Sequence, residues 1–201
     1  MTSSSARFAE LCPGVRDRDV SEAIARSFEH EGYDGYALVQ FGALSALPHA
    51  HPAGDALTDD VAVLIDGGCR VEGYWSDITR TRWFGPSPPA EFRRIVDVVT
   101  AAQRAGIARA RPGVEAQEVD RAAREVITKA GYGATFTHRT GHGLGMDGHE
   151  PIYMVEGNRT PLVAGCVFTV EPGIYLPGRF GVRIEDDVVC GDVGSAVLEG
   201  A

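Results

Sequence analysis

Apolar positions recur along this chain with two periods. Val20, Ile24 and Phe28 are four apart and predict a helix that stops near Gly32. Pro88-Pro89 opens a longer helix, in which Phe92, Ile95, Val96, Val99, Ala102, Gly106 and Ile107 keep helical spacing. Val119, Ala123, Val126 and Ile127 predict a third, ending near Gly131. Between and after the helices lie β-type runs at 36–41, 61–66, 77–84, 167–171, 173–176 and 182–189. The expected fold class is therefore α/β, or more strictly α+β.

A repeat underlies this pattern. Pro13-Gly14-Val15, Val20, Ala23, Gly32-Tyr33 and Gly42 recur as Pro112-Gly113-Val114, Val119, Ala122, Gly131-Tyr132 and Gly141, always 99 positions later. Each copy is a helix followed by strands, which predicts two related halves, roughly 1–85 and 86–201. One element breaks the symmetry. The helix at 88–111 needs a counterpart before Pro13, where only twelve residues stand. The first half is expected to lack most of its first helix and to leave an apolar strip on the sheet.

At 201 residues, 44% hydrophobic and 23% charged, the chain has the makeup of one soluble globular domain. A formal net charge of -9 argues against a nucleic-acid partner. No apolar run approaches the ~18 residues of a membrane span, and residues 1–7 lack the apolar core of a signal peptide. Cys12, Cys69, Cys166 and Cys190 form no C-x-x-C pair, which fits reduced thiols and a cytoplasmic setting.

Four acids stand at the ends of, or within, apolar strands. Asp66 closes Val61-Ala62-Val63-Leu64-Ile65. Asp77 alternates with Thr79 and Thr81, Glu171 closes Val167-Phe168-Thr169-Val170, and Glu185 alternates with Arg183 and Asp187. Three have a bland reading taken singly: a turn-capping aspartate for Asp66, a solvated strand face for Asp77, an Arg183–Glu185 pair for Glu185; no surface strand needs a glutamate at Glu171. Together they are costly to bury unless a partner neutralises them, and Lys129 is the only lysine. The acids also follow the repeat: Asp66 precedes Gly67-Gly68 as Glu171 precedes Pro172-Gly173, and Asp77 and Glu185 follow 11 and 14 residues later. His142 lies between Gly141 and Gly143, glycines that would let the backbone approach a ligand. Five of the six histidines fall in two short segments, His49 and His51 in one, His138, His142 and His149 in the other.

Four carboxylates and an imidazole make a hard, oxygen-rich donor set. It suits two divalent ions, Mn²⁺ first, with Co²⁺, Fe²⁺ or Zn²⁺ as alternatives. Paired ions about 3.5–4 Å apart support amide hydrolysis. The stretch Gly143-Leu144-Gly145-Met146-Asp147-Gly148 matches G-x-G-x-x-G, but Pro151 and Gly157 deny it the helix that a dinucleotide loop opens.

The segments Leu64-Ile65-Asp66-Gly67-Gly68, Ser76-Asp77-Ile78-Thr79-Arg80-Thr81, Gly141-His142-Gly143-Leu144-Gly145, His149-Glu150-Pro151, Thr169-Val170-Glu171-Pro172-Gly173-Ile174-Tyr175 and Gly181-Val182-Arg183-Ile184-Glu185-Asp186 resemble the pita-bread metallopeptidases. Within that family they are most similar to the Xaa-Pro aminopeptidase and Xaa-Pro dipeptidase (prolidase) branch. The resemblance implies a curved antiparallel sheet with helices on its outer face. It implies that Asp66 holds one ion, His142 and Glu171 the other, and that Asp77 and Glu185 bridge them. It makes Glu171 the general base. His49 and His149 would bind substrate and stabilise the tetrahedral intermediate, His138 would line the proline pocket, and Arg183 would position Glu185 or contact substrate. Its substrates would be proline-containing peptides or dipeptides, and a homodimer is one arrangement the family offers. Relatives usually carry an N-terminal domain, which this sequence is expected to lack. Two alternatives stand beside this reading. One is another aminopeptidase of the same fold, or a hydrolase of a small non-peptide amide. The other is a truncated domain that binds peptides or a partner without turnover. Metal binding and Xaa-Pro turnover discriminate among them.

Overall fold

The structure is a computed structural model and describes Phe8 and residues 11–198. After Phe8, which is helical, come α1 (Asp17–His30), β1 (Asp34–Phe41), a 3-10 turn (Gly42–Ala46), β2 (Val61–Val71), β3 (Tyr74–Trp75) and β4 (Ile78–Phe84). Then follow α2 (Ala90–Arg109), α3 (Ala116–Lys129), a second 3-10 turn (Gly133–Thr135), β5 (Gly141–Gly143) and β6 (Glu150–Met154). The last strands are β7 (Val167–Val170), β8 (Gly173–Leu176), β9 (Phe180–Arg183), β10 (Asp186–Cys190) and β11 (Ser195–Val197). The three predicted helices are the three long helices observed. No helix among the described residues is long and apolar enough to cross a membrane.

All strand pairs named here are antiparallel, and the two halves share a plan. In the first, β2 lies between β1 and β4, with Asp66 opposite Leu38 on one side and Thr79 on the other. In the second, β7 lies between β5 and β10. In each half the strand leading into the first acid is thus the central one. The halves meet where β4 runs beside β9 and β10. Glu185 N–H donates to the Thr79 carbonyl at 3.1 Å, and the Thr81 hydroxyl donates to the Arg183 carbonyl at 2.9 Å.

The helices cover one side of these sheets. Phe92, Ile95, Val99 and Ala102 of α2 and Ala123 and Ile127 of α3 pack with Phe136, Ile174, Phe180 and Val182. Val119 joins Phe168, Val170 and Val188 in an adjoining cluster. Each fully buried side chain of this size stabilises the fold by roughly 1.5–3 kcal/mol. Under α1, Ile24 packs with Val39, Phe41, Leu57, Val63 and Ile65. There Val20, Phe28, Val61 and Phe84 stay partly exposed, and Phe8 and Leu11 lie against the same cluster. The expected shortened first helix otherwise falls on residues 1–7, 9 and 10, outside the described residues.

The strand expected over 182–189 is two strands, broken at Ile184-Glu185. The break has a cause. Arg80 Nη1 donates to the Glu185 carbonyl at 2.5 Å while the Glu185 N–H bonds β4, so both backbone groups are taken by the other half. The short strands β3, β5, β6 and β11 have no period long enough to read in the sequence.

Candidate metal centre

The predicted acids converge. Ligand atoms of Asp66, Asp77 and Glu185 lie within 4.8 Å of one another, and so do those of His142, Glu171 and Glu185. Each comes from a different place on the sheets: Asp66 from the middle of β2, Asp77 from just before β4, His142 from β5, Glu171 from the end of β7 and Glu185 from the β9–β10 break. Asp77, His142 and Glu185 are buried, at 8%, 2% and 2% exposure, which rules out the solvated-face reading of Asp77.

Glycines make the convergence sterically feasible. A Cβ on Gly68 would sit 1.7 Å from the Ser76 carbonyl oxygen, where β2 meets the segment leading to Asp77. One on Gly141 would sit 1.9 Å from the Thr169 carbonyl oxygen. The glycine beside His142 therefore serves a close approach between two strands, rather than between backbone and ligand as its flanking position suggested. Opposite, β6 slips register between Gly141 and Gly143, and Ile152 takes φ 87°, a conformation strained for a β-branched residue.

The polar partners fix each carboxylate. Tyr36 donates to Asp77 Oδ1 at 2.7 Å, and the Asp77 N–H is shared between both oxygens of Asp187 at 3.2 and 3.1 Å. Thr79 donates to Glu185 Oε2 at 2.5 Å. Arg183 pairs with Asp66, Nη2 to Oδ2 at 2.7 Å, and not with Glu185 as its spacing predicted. The rest of its guanidinium is spent on Thr79, Tyr175 and the Pro48 carbonyl. Asp186 turns the other way, to Arg80 and Gln103. The Glu-Asp-Asp run thus divides: Glu185 into the site, Asp186 away from it, Asp187 beneath Asp77.

The histidines have distinct surroundings. His142 Nδ1 lies 3.0 Å from the Gly143 carbonyl, which accepts only, so Nδ1 carries the proton and Nε2 a lone pair. That lone pair faces Glu171 Oε1 at 3.6 Å and Asp77 Oδ2 at 3.7 Å. His149 stands edge-on to it with ring centroids 3.9 Å apart. His49 lies on an exposed loop held by Gln40, whose amide donates to the Leu47 and Ala50 carbonyls. Its ring centroid is 6.2 Å from that of His138. His138 uses both ring nitrogens, Nδ1 on the Arg139 carbonyl and Nε2 on the Tyr175 hydroxyl, each at 2.7 Å. Both ring nitrogens are thus engaged, and the ring face is what His138 leaves open. His51 is exposed.

Electrostatics complete the picture. Burial, then the charge of Asp66, pushes the Asp77 carboxyl up to about 8. Burial pushes Glu171 up to about 7 although Arg183 pulls it down, and Glu185 is raised well above the usual range, first by burial and then by Asp77. Burial lowers His142 to about 4, so the imidazole is neutral. Asp66 Oδ1 is buried with no hydrogen-bond partner. Lone pairs of a neutral imidazole and of several carboxylate oxygens thus point at one another around an unbonded oxygen. That arrangement is unfavourable without cations and fits a pair of divalent ions. Asp66, Asp77, His142, Glu171 and Glu185 would hold them. Sequence reading missed Tyr36, Thr79, Tyr175, Asp187 and Arg139. Thr79 and Asp187 carried a signal in their alternation with Asp77 and Glu185, and Arg139 in its place within the histidine-rich segment.

The chain belongs to metallopeptidase family M24, whose model matches residues 3–192. Its fold is the pita-bread fold of prolidases. It is 44% identical over 193 residues to an uncharacterized peptidase of Staphylococcus saprophyticus, covering 94% of this chain and 55% of the relative. It is 41% identical over 192 residues to a Xaa-Pro dipeptidase of Lactobacillus helveticus, covering 92% and 50%. The solved prolidase from Pyrococcus furiosus superposes with a TM-score of 0.93 at 36% identity, over 98% of this chain and 59% of that one. The chain spans about half the length of the curated relatives it matches.

Proposed function

We propose that this chain is a dinuclear metal-dependent hydrolase of the Xaa-Pro peptide bond, at the N-terminus of peptides or in dipeptides. The observation that carries the reading is the neutral His142 Nε2 facing Glu171 and Asp77 beside the unbonded Asp66 oxygen. Asp66, Asp77, His142, Glu171 and Glu185 would hold the two ions. Mn²⁺ suits these hard donors first. Bound there, divalent ions supply a lowered pKa for water and polarisation of the scissile carbonyl.

The remaining work falls to the chain's own groups. Glu171 takes the proton of the attacking water at its carboxylate and delivers it to the leaving proline nitrogen. His149, beside His142, and His49, across from His138, flank the carbonyl and stabilise the oxyanion by hydrogen bonding. His138, held between Arg139 and Tyr175 and edge-on to Phe136, presents an uncharged ring to the proline side. The two halves, roughly 1–85 and 86–201, form one catalytic domain with the site at their junction. Four free cysteines fit a cytoplasmic enzyme.

The test measures bound metal and Xaa-Pro turnover with added Mn²⁺, for the wild type and Glu171→Ala. Stoichiometric metal with turnover abolished in the variant is the expected result. Failure to bind any divalent ion would sink the reading, and metal binding without turnover of any Xaa-Pro peptide would favour a binding domain.

A further inference from the structure

Cys166 and Cys190 face each other across the second sheet, at the ends of their strands opposite to Glu171 and Glu185. Cys166 stands just before β7 and Cys190 closes β10. Val188 lies opposite Phe168 and Val189 opposite Val167, and one step on the Cys190 N–H donates to the Cys166 carbonyl at 2.9 Å. The Cys190 carbonyl accepts from the Gly165 N–H at 2.7 Å, and Gly165 takes φ 86°. Gly165 and Cys166 together thus oppose Cys190, the pattern of a glycine bulge. Cys166 is two residues before Phe168 and Cys190 two after Val188, so both side chains lie on the face where Phe168 and Val188 pack. Burial first, and then the Cys166 thiol beside it, pushes the Cys190 thiol up, so the two sulfurs are neighbours. Both thiols are free. Their access differs: Cys190 is fully buried, whereas Cys166 is half-buried and follows the exposed residues Val163, Ala164 and Gly165.

Directly opposed strand residues hold their Cβ atoms about 4.5–5.5 Å apart, just beyond the ~3.5–4.5 Å that a disulfide spans. A bond closed there draws the strands together, and strained bonds of this kind are the readily reduced ones. We propose that Cys166 and Cys190 are a redox-modification site, at which a peroxide forms a reversible disulfide that ties the start of β7 to the end of β10. The site is independent of the peptidase reading. With hydrogen peroxide, the accessible Cys166 sulfur takes one oxygen, giving a sulfenic acid, and the other oxygen leaves as water. The Cys190 sulfur then attacks the Cys166 sulfur. The S–S bond forms, the S–O bond breaks, and hydroxide leaves with the Cys190 proton as a second water. The two thiols give up two electrons and the peroxide accepts them. A dithiol reverses the step by exchange. The staple encloses residues 166–190, and with them Glu171 and Glu185.

The test adds one equivalent of hydrogen peroxide to chelator-treated protein, so that bound ions take no part. Tryptic fragments 160–179 and 184–201 each carry one of the two cysteines. They should be recovered linked and short of two hydrogens, and apart after dithiothreitol. The oxidised wild type should melt roughly 5–10 °C higher than the reduced, and dithiothreitol should reverse the shift. Cys190→Ala should stop at the Cys166 sulfenic acid, trapped with dimedone. Cys166→Ser should show neither linkage nor shift. The wild-type map and Cys166→Ser decide the matter even where truncation at the buried Cys190 costs stability. Cys166 carried on to the sulfinic acid with Cys190 still free to alkylate, a disulfide to Cys12, to Cys69 or to a second copy in its place, or a peroxide-induced shift that persists in Cys166→Ser would overturn the proposal.

Discussion

The Nε2 lone pair of His142 stands 3.6 Å from Oε1 of Glu171, while its Nδ1 proton is committed to the Gly143 carbonyl. Two acceptors face each other in a buried setting, and protonation of the imidazole is opposed by burial, which lowers its pKa to about 4. A divalent cation relieves this contact, so binding should stabilise the fold by mass action. At 100 times its Kd an ion adds about 2.7 kcal/mol, which in a domain of this size raises Tm by roughly 5–11 °C. Thermal melting with Mn²⁺ and with chelator measures this. His142→Ala should lose most of the ion's effect. An equal shift in that variant would place the ion elsewhere.

The metal-free protein should lose stability as pH rises from about 6.5 to 8. The Asp77, Glu171 and Asp187 carboxyls are raised to about 8, 7 and 7, chiefly by burial. An acid raised in the folded state binds protons more tightly there than in the unfolded chain. Its contribution is full below the unfolded pKa near 4 and is lost as pH climbs through the folded value. His138 and His142, lowered by burial to about 3 and 4, act in the opposite sense, but only below about 6.5. Above that, the acids alone set the slope. Chelator-treated protein melted at pH 6.5, 7.2 and 8 should show a falling Tm. Mn²⁺-loaded protein should show a smaller fall, because the ion replaces those protons. A rising Tm in the metal-free series would contradict the crowding of these carboxyls.

Gly141→Ala should damage the site through the backbone. Its Cβ would fall 1.9 Å from the Thr169 oxygen, and a backbone atom cannot rotate away. Separating β5 from β7 would move His142 relative to Glu171, whose N–H bonds the Thr140 carbonyl at 2.7 Å. The expected cost is about 1–3 kcal/mol in urea unfolding, with weakened Mn²⁺ binding. Gly113→Ala, at φ 83° with open space around its Cβ, controls for loss of glycine by itself. It should cost about 1 kcal/mol and leave the metal affinity unchanged.

The helices were legible because their periods are long: Phe92, Ile95, Val99 and Ala102 could face only one way, and all four are buried. The convergence of the candidate ligands was legible for a different reason. Glu171 follows an apolar strand where no surface explains an acid, and the repeat pairs it with Asp66 and sets Asp77 and Glu185 at matching places. What the sequence hid was lateral. Arg183 and Glu185, two apart, promised a pair on one strand face, but the strand breaks between them and Arg183 reaches Asp66, 117 positions away. Tyr36 reaches Asp77 across 41 positions, with no local pattern to announce it. The fold's long-range register therefore decides which polar side chains support the ligands, and that register is not a periodic property of the chain.

Asp187 should prove to hold Asp77 in place. Both of its oxygens accept the single Asp77 N–H, at 3.2 and 3.1 Å, and it is 5% exposed. Burial raises its carboxyl to about 7 while that same bond lowers it, so near neutrality a large share is uncharged. Asp187→Asn keeps an acceptor of the same shape for the N–H and removes one negative charge from a crowded centre. Its melting temperature should match or exceed that of the wild type, with Mn²⁺ affinity within a few-fold. Asp187→Ala removes the acceptor and leaves a buried N–H unpaired, at about 1–3 kcal/mol. It also frees the segment before β4 to shift, and loss of such a supporting partner typically weakens metal binding about 10–100-fold. Competition with a fluorescent chelator reads the affinity and urea unfolding reads the stability. Were Asp187→Asn to lose as much affinity as Asp187→Ala, the charge of Asp187, and not its hold on the Asp77 backbone, would be what the ions require.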